Sequence, residues 1–488
     1  MRVAIFILVI MMVSLSEWVI SEKKMLRGYH RCTIYVKGAG DFGFHPDTMM
    51  STCKIENICL TTGGKFVLFQ QHDRILPHLR ESLLTPNAKP WVITQGRIES
   101  NRGLFSVGIE DGDLDVEYGA NGKVVSMRKR NQNSSELLEL DPSFAIIGGP
   151  SYALHRFAAG NLVSNFLENL NMVVTLMMNY FPGSTTNAPE KVLNNHIVYL
   201  DDVFDMEGEE WKASFNYPPQ DALRFSTEAA SLFTSNPVLQ MCKKTEGFRI
   251  TNSPCRNENF NATQSKIVLQ TCFSELYVGL SVEITKYFGR EMMFVQMRNL
   301  AYSTLQISPH TTEENSHVMM PYIKSKDLLV AVQYSTSDYY GSIANSEEIV
   351  SYIQKELEKD LKYITSERRV IVELVNITAS SLSDTIRYLS NVDVFISDQG
   401  NAAMGIFMRE NTALILAPLC TKAKCVSGPS YIETFPHVHV HQVFNLGTNL
   451  KCIERKTNIN PQNCDPVLPD IVYPTVLSSL KTRYAKYI

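Results

Sequence analysis

DLLVAVQY (327–334), RVIVELV (369–375), VDVFI (392–396) and TALILA (412–417) are the runs whose reading decides the fold. Each is apolar and β-branched almost throughout, with no polar alternation, the pattern of strands buried on both faces of a parallel sheet. Between the first two the sequence predicts a helix. Asn345 and Glu348 form a capping box, and Ile349, Ile353, Leu357 and Leu361 recur at every fourth position. Between the next two, Ser381 is placed to cap a helix with Asp384 three residues on, and Leu382, Ile386 and Leu389 supply its apolar face. Strand, helix, strand, helix, strand is a βαβαβ unit of an α/β fold. Ligands of such sheets sit beyond the carboxyl ends of the strands, which singles out loops 335–338, 376–379, 397–401 and 418–421.

The third loop carries the most chemistry. Ser397, Asp398, Gln399, Gly400 and Asn401 leave a buried strand and open a predicted helix over 402–408. Gly400 permits close backbone approach, and amides at a helix N-terminus attract anions such as phosphate. An ordinary βα turn has the same composition. No glycine-rich dinucleotide fingerprint or Walker sequence occurs in the chain.

A chain of 488 residues holds two to four domains. The expected division is a leader over 1–24, an N-terminal acceptor-side domain over 25–325 and a C-terminal domain over 326–488 with a final helix packing back. Net charge is -4, which gives no support to a nucleic-acid partner. Arg2 precedes thirteen apolar or small residues (3–15), and Ser14-x-Ser16 offers a small-x-small cleavage site. Counted through Ile20 the run nears the ~18–20 residues that span a bilayer, so a signal anchor competes with a cleaved signal. Either places the rest of the chain in the secretory lumen, Golgi or endoplasmic reticulum, as a free or single-pass type II protein touching the membrane only through this segment.

Ten cysteines and no C-x-x-C fit an oxidising compartment with several disulfides, whose connectivity the sequence does not give. Sequons at Asn133, Asn261 and Asn376 agree with it. Other candidates are weighed against plainer readings. The D-x-D spacing in DGDLD (111–115) could hold a divalent metal, but reads better as a solvated hairpin turn. His437, His439 and His441 alternate as on a polar edge strand and lack a matching acidic or cysteine ligand set. Asp201 and Asp202 end a predicted strand in an acidic turn. Along the predicted helix 161–180, Asn161, Ser164, Asn165, Glu168 and Asn171 share one face, which looks into a cleft or, on periodicity alone, belongs to a surface helix. G-x-S-x-G and H-E-x-x-H are absent, which disfavours hydrolase and metalloprotease classes.

Several separated stretches together resemble the family-61 glycosyltransferases, the group of plant xylosyl- and arabinosyltransferases and animal lumenal O-linked N-acetylglucosaminyltransferases. Cys53-Lys54-Ile55-Glu56-Asn57-Ile58-Cys59 followed by KFVLF resembles the family's C-x-x-x-N-x-C strand. Asn161-x-x-Ser164-x-Phe166-x-Glu168 stands where the family has N-x-x-H-F-x-x-D. Cys272-Phe273 with Val278-Gly279 is similar to its C-F-x-x-x-x-V-G segment, and 343–348 to its R-x-I-x-N-E-x-E helix start. The stretch 392–408 resembles its strand, H-G-A loop and F-M helix, with Gly400, Phe407 and Met408 kept. Departures fall where charge would matter: Ser164 and Gln399 replace histidines, Asn401 replaces alanine, and 335–342 lacks the family's arginines.

The resemblance implies a GT-B architecture, two Rossmann-like domains facing across a cleft. It implies transfer of an N-acetylglucosamine- or pentose-class sugar from a UDP-sugar to a glycan or protein hydroxyl, with inversion. No metal or other cofactor is implied. Glu168 is the expected general base. Ser397, Asp398, Gln399, Gly400 and Asn401 form the expected donor loop, with Ser335, Ser337 and Asn345 around the phosphates. The lost arginine and histidine positions also fit a catalytically silent, glycan-binding or scaffolding descendant of the same fold, since charge-assisted bonds are roughly twice as strong as the neutral ones left in their place.

Overall fold

A computed structural model describes residues 22–34, 51–71, 91–94, 104–156, 162–184, 188–200, 219–244, 247–251, 268–279, 292–307, 327–334, 343, 345–360, 369–377, 380–398, 401–417, 435–443 and 468–485. The fold is mixed α/β with several sheets, one of them parallel. Contacts divide the chain into two compact units, one of Met1–Leu154, Val198–Asp202 and Leu239–Leu280, the other of His155–Ile197, Val203–Val238 and Ser281–Ile488.

The first unit is built on two sheets. Their strands are β1 (Glu22–Leu26), β2 (Tyr29–Ile34), β3 (Ser51–Thr61), β4 (Phe66–Gln70), β5 (Trp91–Thr94), β6 (Leu104–Asp111), β7 (Asp113–Tyr118), β8 (Val124–Arg130), β9 (Ser135–Leu137), β10 (Glu139–Leu154), β11 (His196–Tyr199), β12 (Leu239–Lys244), β13 (Gly247–Thr251) and β14 (Val268–Gly279). A small sheet runs β1-β7-β8-β9, and a large one β13-β12-β11-β10-β14-β3-β4-β6-β5 with β2 added to β3. One face of the large sheet buries Ile55, Ile58, Leu60, Phe273, Leu276 and Val278. On the other, Cys59, Val67, Phe69 and Cys272 pack with Leu26, Leu114, Val116 and Met127 of the small sheet.

Strict alternation would put Ile55 and Ile58 on opposite faces of β3. Asn57 resolves this by adopting the left-handed conformation, with φ of 57°. Asparagine tolerates that region better than most L-residues. The register with β14 passes from Ile58↔Phe273 to Glu56↔Glu275, and Asn57 Nδ2 donates to the Arg27 carbonyl at 2.8 Å. The asparagine of the C-x-x-x-N-x-C stretch is therefore a backbone device. Two residues on, Cys59 faces Cys272 across the ladder, and they form a disulfide. Cys53 and Cys242 are each in a disulfide as well.

DGDLD is not a solvated hairpin. Gly112, at φ of 131°, passes the chain from β6 of the large sheet to β7 of the small one, and Asp113 is buried beside Arg27. Only glycine reaches that φ without strain. Among the described residues no group of three or more metal-ligating side chains forms, and no helix is long and apolar enough to cross a membrane. Residues 1–21 of the leader expected over 1–24, Asp201–Asp202 and Asn261 lie outside the described residues, whereas Glu22–Lys24 belong to β1 and pair with β7.

The second unit holds β15 (Leu328–Gln333), β16 (Val370–Val375), β17 (Val394–Ser397), β18 (Thr412–Leu416) and β19 (Val438–Gln442), ordered β16-β15-β17-β18-β19 and parallel throughout. The four apolar runs are its first four strands. Its helices are α1 (Asn171–Tyr180), α2 (Pro189–Leu193), α3 (Pro219–Ser231), α4 (Met292–Leu305), α5 (Ser346–Asp360), α6 (Leu382–Leu389) and α7 (Pro469–Ala485). Ser381 caps α6 as its sequence predicts, its Oγ accepting from the Asp384 amide at 3.1 Å. Ile349, Ile353 and Leu357 of α5 and Val472, Val476 and Leu480 of α7 enter one core with the sheet.

Candidate functional site

A strand order of 2-1-3-4-5 reverses direction of growth between its first and third strands, and the crevice beyond their carboxyl ends is the usual ligand position. Here those strands are β15 and β17. Their ends carry Gln333 and Ser397, and the two side chains meet: Ser397 Oγ donates to Gln333 Oε1 at 2.7 Å, and the Asp398 amide donates to the same oxygen at 3.3 Å. The Asp398 carboxylate bonds forward along the chain. Its Oδ1 accepts from the Asn401 amide at 3.0 Å and its Oδ2 from Asn401 Nδ2 at 2.9 Å, while the Asp398 carbonyl accepts from the Ala402 amide. Gln333, Ser397, Asp398 and Asn401 are all at most 1% exposed.

The element after this turn is a 3-10 helix, Asn401–Phe407, rather than the α-helix expected over 402–408. Asp398 already occupies its first amide, so a carboxylate stands where the sequence suggested an anion would be drawn. The 3-10 turn is fixed by three neighbours. Tyr302 of α4 donates its hydroxyl to the Phe407 carbonyl at 2.7 Å, and His437 Nε2 lies 2.9 Å from the Ile406 carbonyl. Arg298, one turn before Tyr302, pairs with Glu410 at 2.8 Å. Burial pushes the Tyr302 phenol up to about 12 against the pull of Arg298 and Arg409. Burial, reinforced by Arg298, holds the His437 imidazole down at about 4, against opposition from its carbonyl contacts and Glu410.

The third neighbour is Phe166, whose ring meets Phe407 edge-on at 5.0 Å. It belongs to a π-helical stretch, Ser164–Leu170, leading into α1. Such turns are rare and cluster at functional sites. All seven of its residues are buried, Ser164, Asn165, Glu168 and Asn169 among them, so the reading of 161–180 as a surface helix with a polar side does not hold. The sequence pattern missed this because i→i+5 bonding shifts the faces that 3.6-residue periodicity assigns. Glu168 is 7% exposed, and its Oε2 has no hydrogen-bond partner among the described residues. A buried carboxylate oxygen so placed has its bonding capacity in reserve for a donor.

Of the expected donor residues, Ser397, Asp398 and Asn401 are thus gathered at one point. Asn345 instead stands at the start of α5, its Nδ2 donating to Glu348 at 3.0 Å. Ser335, Ser337, Gln399 and Gly400 lie outside the described residues. Gln333 was not singled out by sequence, although a glutamine closing an otherwise apolar buried strand was a visible mark. The three histidines separate: His437 precedes β19 and is buried, while His439 and His441 are exposed on that strand, at the sheet's edge. Comparison with protein-family models and with curated proteins finds no match for this chain.

Proposed function

We propose that the chain is an inverting glycosyltransferase of the secretory lumen with a GT-B arrangement. It takes an N-acetylglucosamine- or pentose-class sugar from a UDP-sugar to a glycan or protein hydroxyl, without a resident metal. The observation that carries the reading is the buried cluster of Gln333, Ser397, Asp398 and Asn401 at the switch point of a parallel sheet, the position where this class of fold receives nucleotides. In this reading the 397–401 loop and its neighbours 335–345 hold the donor. Glu168, with an oxygen in reserve, takes the proton from the acceptor hydroxyl as the hydroxyl oxygen attacks the anomeric carbon and UDP leaves from the opposite face with the electron pair of the broken C–O bond.

The purified secreted chain should show a UDP-dependent rise in melting temperature and release UDP from UDP-N-acetylglucosamine or UDP-xylose. Glu168→Gln should lower turnover by roughly 100-fold or more while keeping the UDP shift. Joint substitution of Gln399 and Gly400 should abolish the shift. Absence of any UDP effect on the unaltered chain would sink the reading. A second reading, a catalytically silent glycan-binding descendant, is favoured by one feature: both Asp398 oxygens are engaged by Asn401 and a negative charge sits within the switch-point cluster. Glycan binding without UDP binding would select it.

A further inference from the structure

Between β10, β14, β3 and β2 of the first unit, on the face that bears the Cys59–Cys272 disulfide, the side chains change from aliphatic to polar and aromatic. Register puts Tyr152 beside Tyr277 and Tyr277 beside Lys54, then Glu275 beside Glu56 and Glu56 beside Tyr29. The rings of Tyr152 and Tyr277 stack at 5.2 Å, and Lys54 Nζ stands 5.9 Å from the centroid of Tyr277. Lys54 bridges Glu56 at 2.8 Å and Glu275 at 3.0 Å, and Tyr277 donates to the other Glu275 oxygen at 2.9 Å. The two tyrosines form a buried floor, while Tyr29 is 49% exposed and the Lys54, Glu56 and Glu275 side chains are half-buried.

An ion-pair ladder alone would be a plain surface feature. Tyr152 makes this one different. It is 1% exposed, its hydroxyl has no partner among the described residues, and it lies within the field of Glu275, which adds to burial in pushing its phenol up. A buried hydroxyl beside a carboxylate to which it does not donate is one that a bound group can complete. Aromatic faces, carboxylates that accept from vicinal hydroxyls and an ammonium that donates are together the chemistry that recognises a sugar ring, whose faces are apolar and whose rim is hydroxylated.

We propose that this face is a saccharide-binding subsite, with the Tyr29 ring as outer platform, Glu56 and Glu275 receiving ring hydroxyls, and the Tyr152 hydroxyl closing its inner end. It deepens the transferase reading by assigning acceptor recognition to the first unit, and rests on that reading only for the word acceptor. Chitotriose, xylotriose and N-acetyllactosamine, each immobilised, are the probes for the full secreted chain. At least one should be retained. Tyr29→Ala and Glu275→Gln should each weaken that retention about tenfold or more, and Tyr152→Phe should weaken it severalfold without lowering the melting temperature. The joint substitution at Gln399 and Gly400 should leave it intact. Should no probe be retained, or should retention survive both Tyr29→Ala and Tyr152→Phe, the face is an ion-pair ladder and the proposal is overturned. Retention lost in these variants from a chain that ignores UDP would uphold the subsite and remove the transferase.

Discussion

His437 makes the stability of the second unit depend on pH in a way that can be calculated beforehand. Its imidazole is 6% exposed, and its Nε2 contacts the Ile406 carbonyl, so that nitrogen carries the proton of the neutral ring. The charged groups acting on it are Arg298, which opposes protonation, and Glu410, which favours it weakly. Burial dominates and takes the folded value from 6.5 down to about 4. The unfolded chain therefore binds the proton first as pH falls. The stability contribution is complete above the unfolded value and is lost progressively between pH 6.5 and about 4. The linkage relation gives a loss of about 1 kcal/mol by pH 5.5 and about 2–3 kcal/mol by pH 4.5.

Every other titrating group also contributes, so the measurement has to be a difference. His437→Gln keeps an N–H for the Ile406 carbonyl and does not titrate. Urea unfolding of the unaltered chain and the variant at pH 7.5, 5.5 and 4.5 isolates the one group. The stability advantage of the histidine chain should shrink by about 2–3 kcal/mol from the highest to the lowest pH. Curves that stay parallel across that range would refute the reasoning, because they would mean that His437 charges in the folded state as readily as in the unfolded one.

Gly28 donates to the Phe69 carbonyl, and a Cβ built on it would stand 2.1 Å from that oxygen, so Gly28→Ala should cost about 2 kcal/mol or more in urea unfolding. Asn57→Ala should cost about 1–2 kcal/mol more than Asn57→Gly, since both lose the bond to Arg27 but only alanine resists the left-handed backbone. Replacing both Cys59 and Cys272 with alanine should lower stability by about 2–5 kcal/mol, read by calorimetry, because the bridge spans 213 residues of chain. Asp398→Asn keeps one acceptor, for the Asn401 amide, and gives up the one for Asn401 Nδ2 while removing the charge, so in the transferase reading UDP should bind roughly fivefold more tightly in a fluorescence titration.

The parallel sheet was legible because burial on both faces leaves a mark that needs no partner. The runs at 327–334, 369–375 and 412–417 sit within a residue or two of β15, β16 and β18, and the Ser381 cap within one of α6. What escaped were features decided by a second strand or by a departure from regular geometry. DGDLD reads as a turn in any window, and only the partners of β6 and β7 show that Gly112 crosses between sheets. The run 161–180 has a helical polar face on paper, but the π-helical stretch 164–170 buries Ser164, Asn165 and Glu168 of that face. The passages 155–197 and 203–238, which join the C-terminal sheet in one unit, carry no compositional change at their borders. In the switch-point cluster, the position of Ser397, Asp398 and Asn401 after a buried strand is readable from the sequence. Gln333, 64 residues earlier, became visible only through its bond to Ser397.

The switch-point cluster also limits how a nucleotide could bind. Ser397, Asp398 and Asn401 already bond to one another or to Gln333, and no arginine or lysine occurs from 335 to 342. A ligand that broke these buried bonds would forfeit about 1 kcal/mol for each and leave the stranded partner to be satisfied. A diphosphate would add repulsion from Asp398. Any affinity for UDP, as the transferase reading requires, would therefore have to come from the uracil and ribose, whose neutral donors and acceptors suit such a rim, and from groups beyond the cluster. Uridine should then compete nearly as well as UDP, whereas a phosphate-gripping site would favour UDP by orders of magnitude.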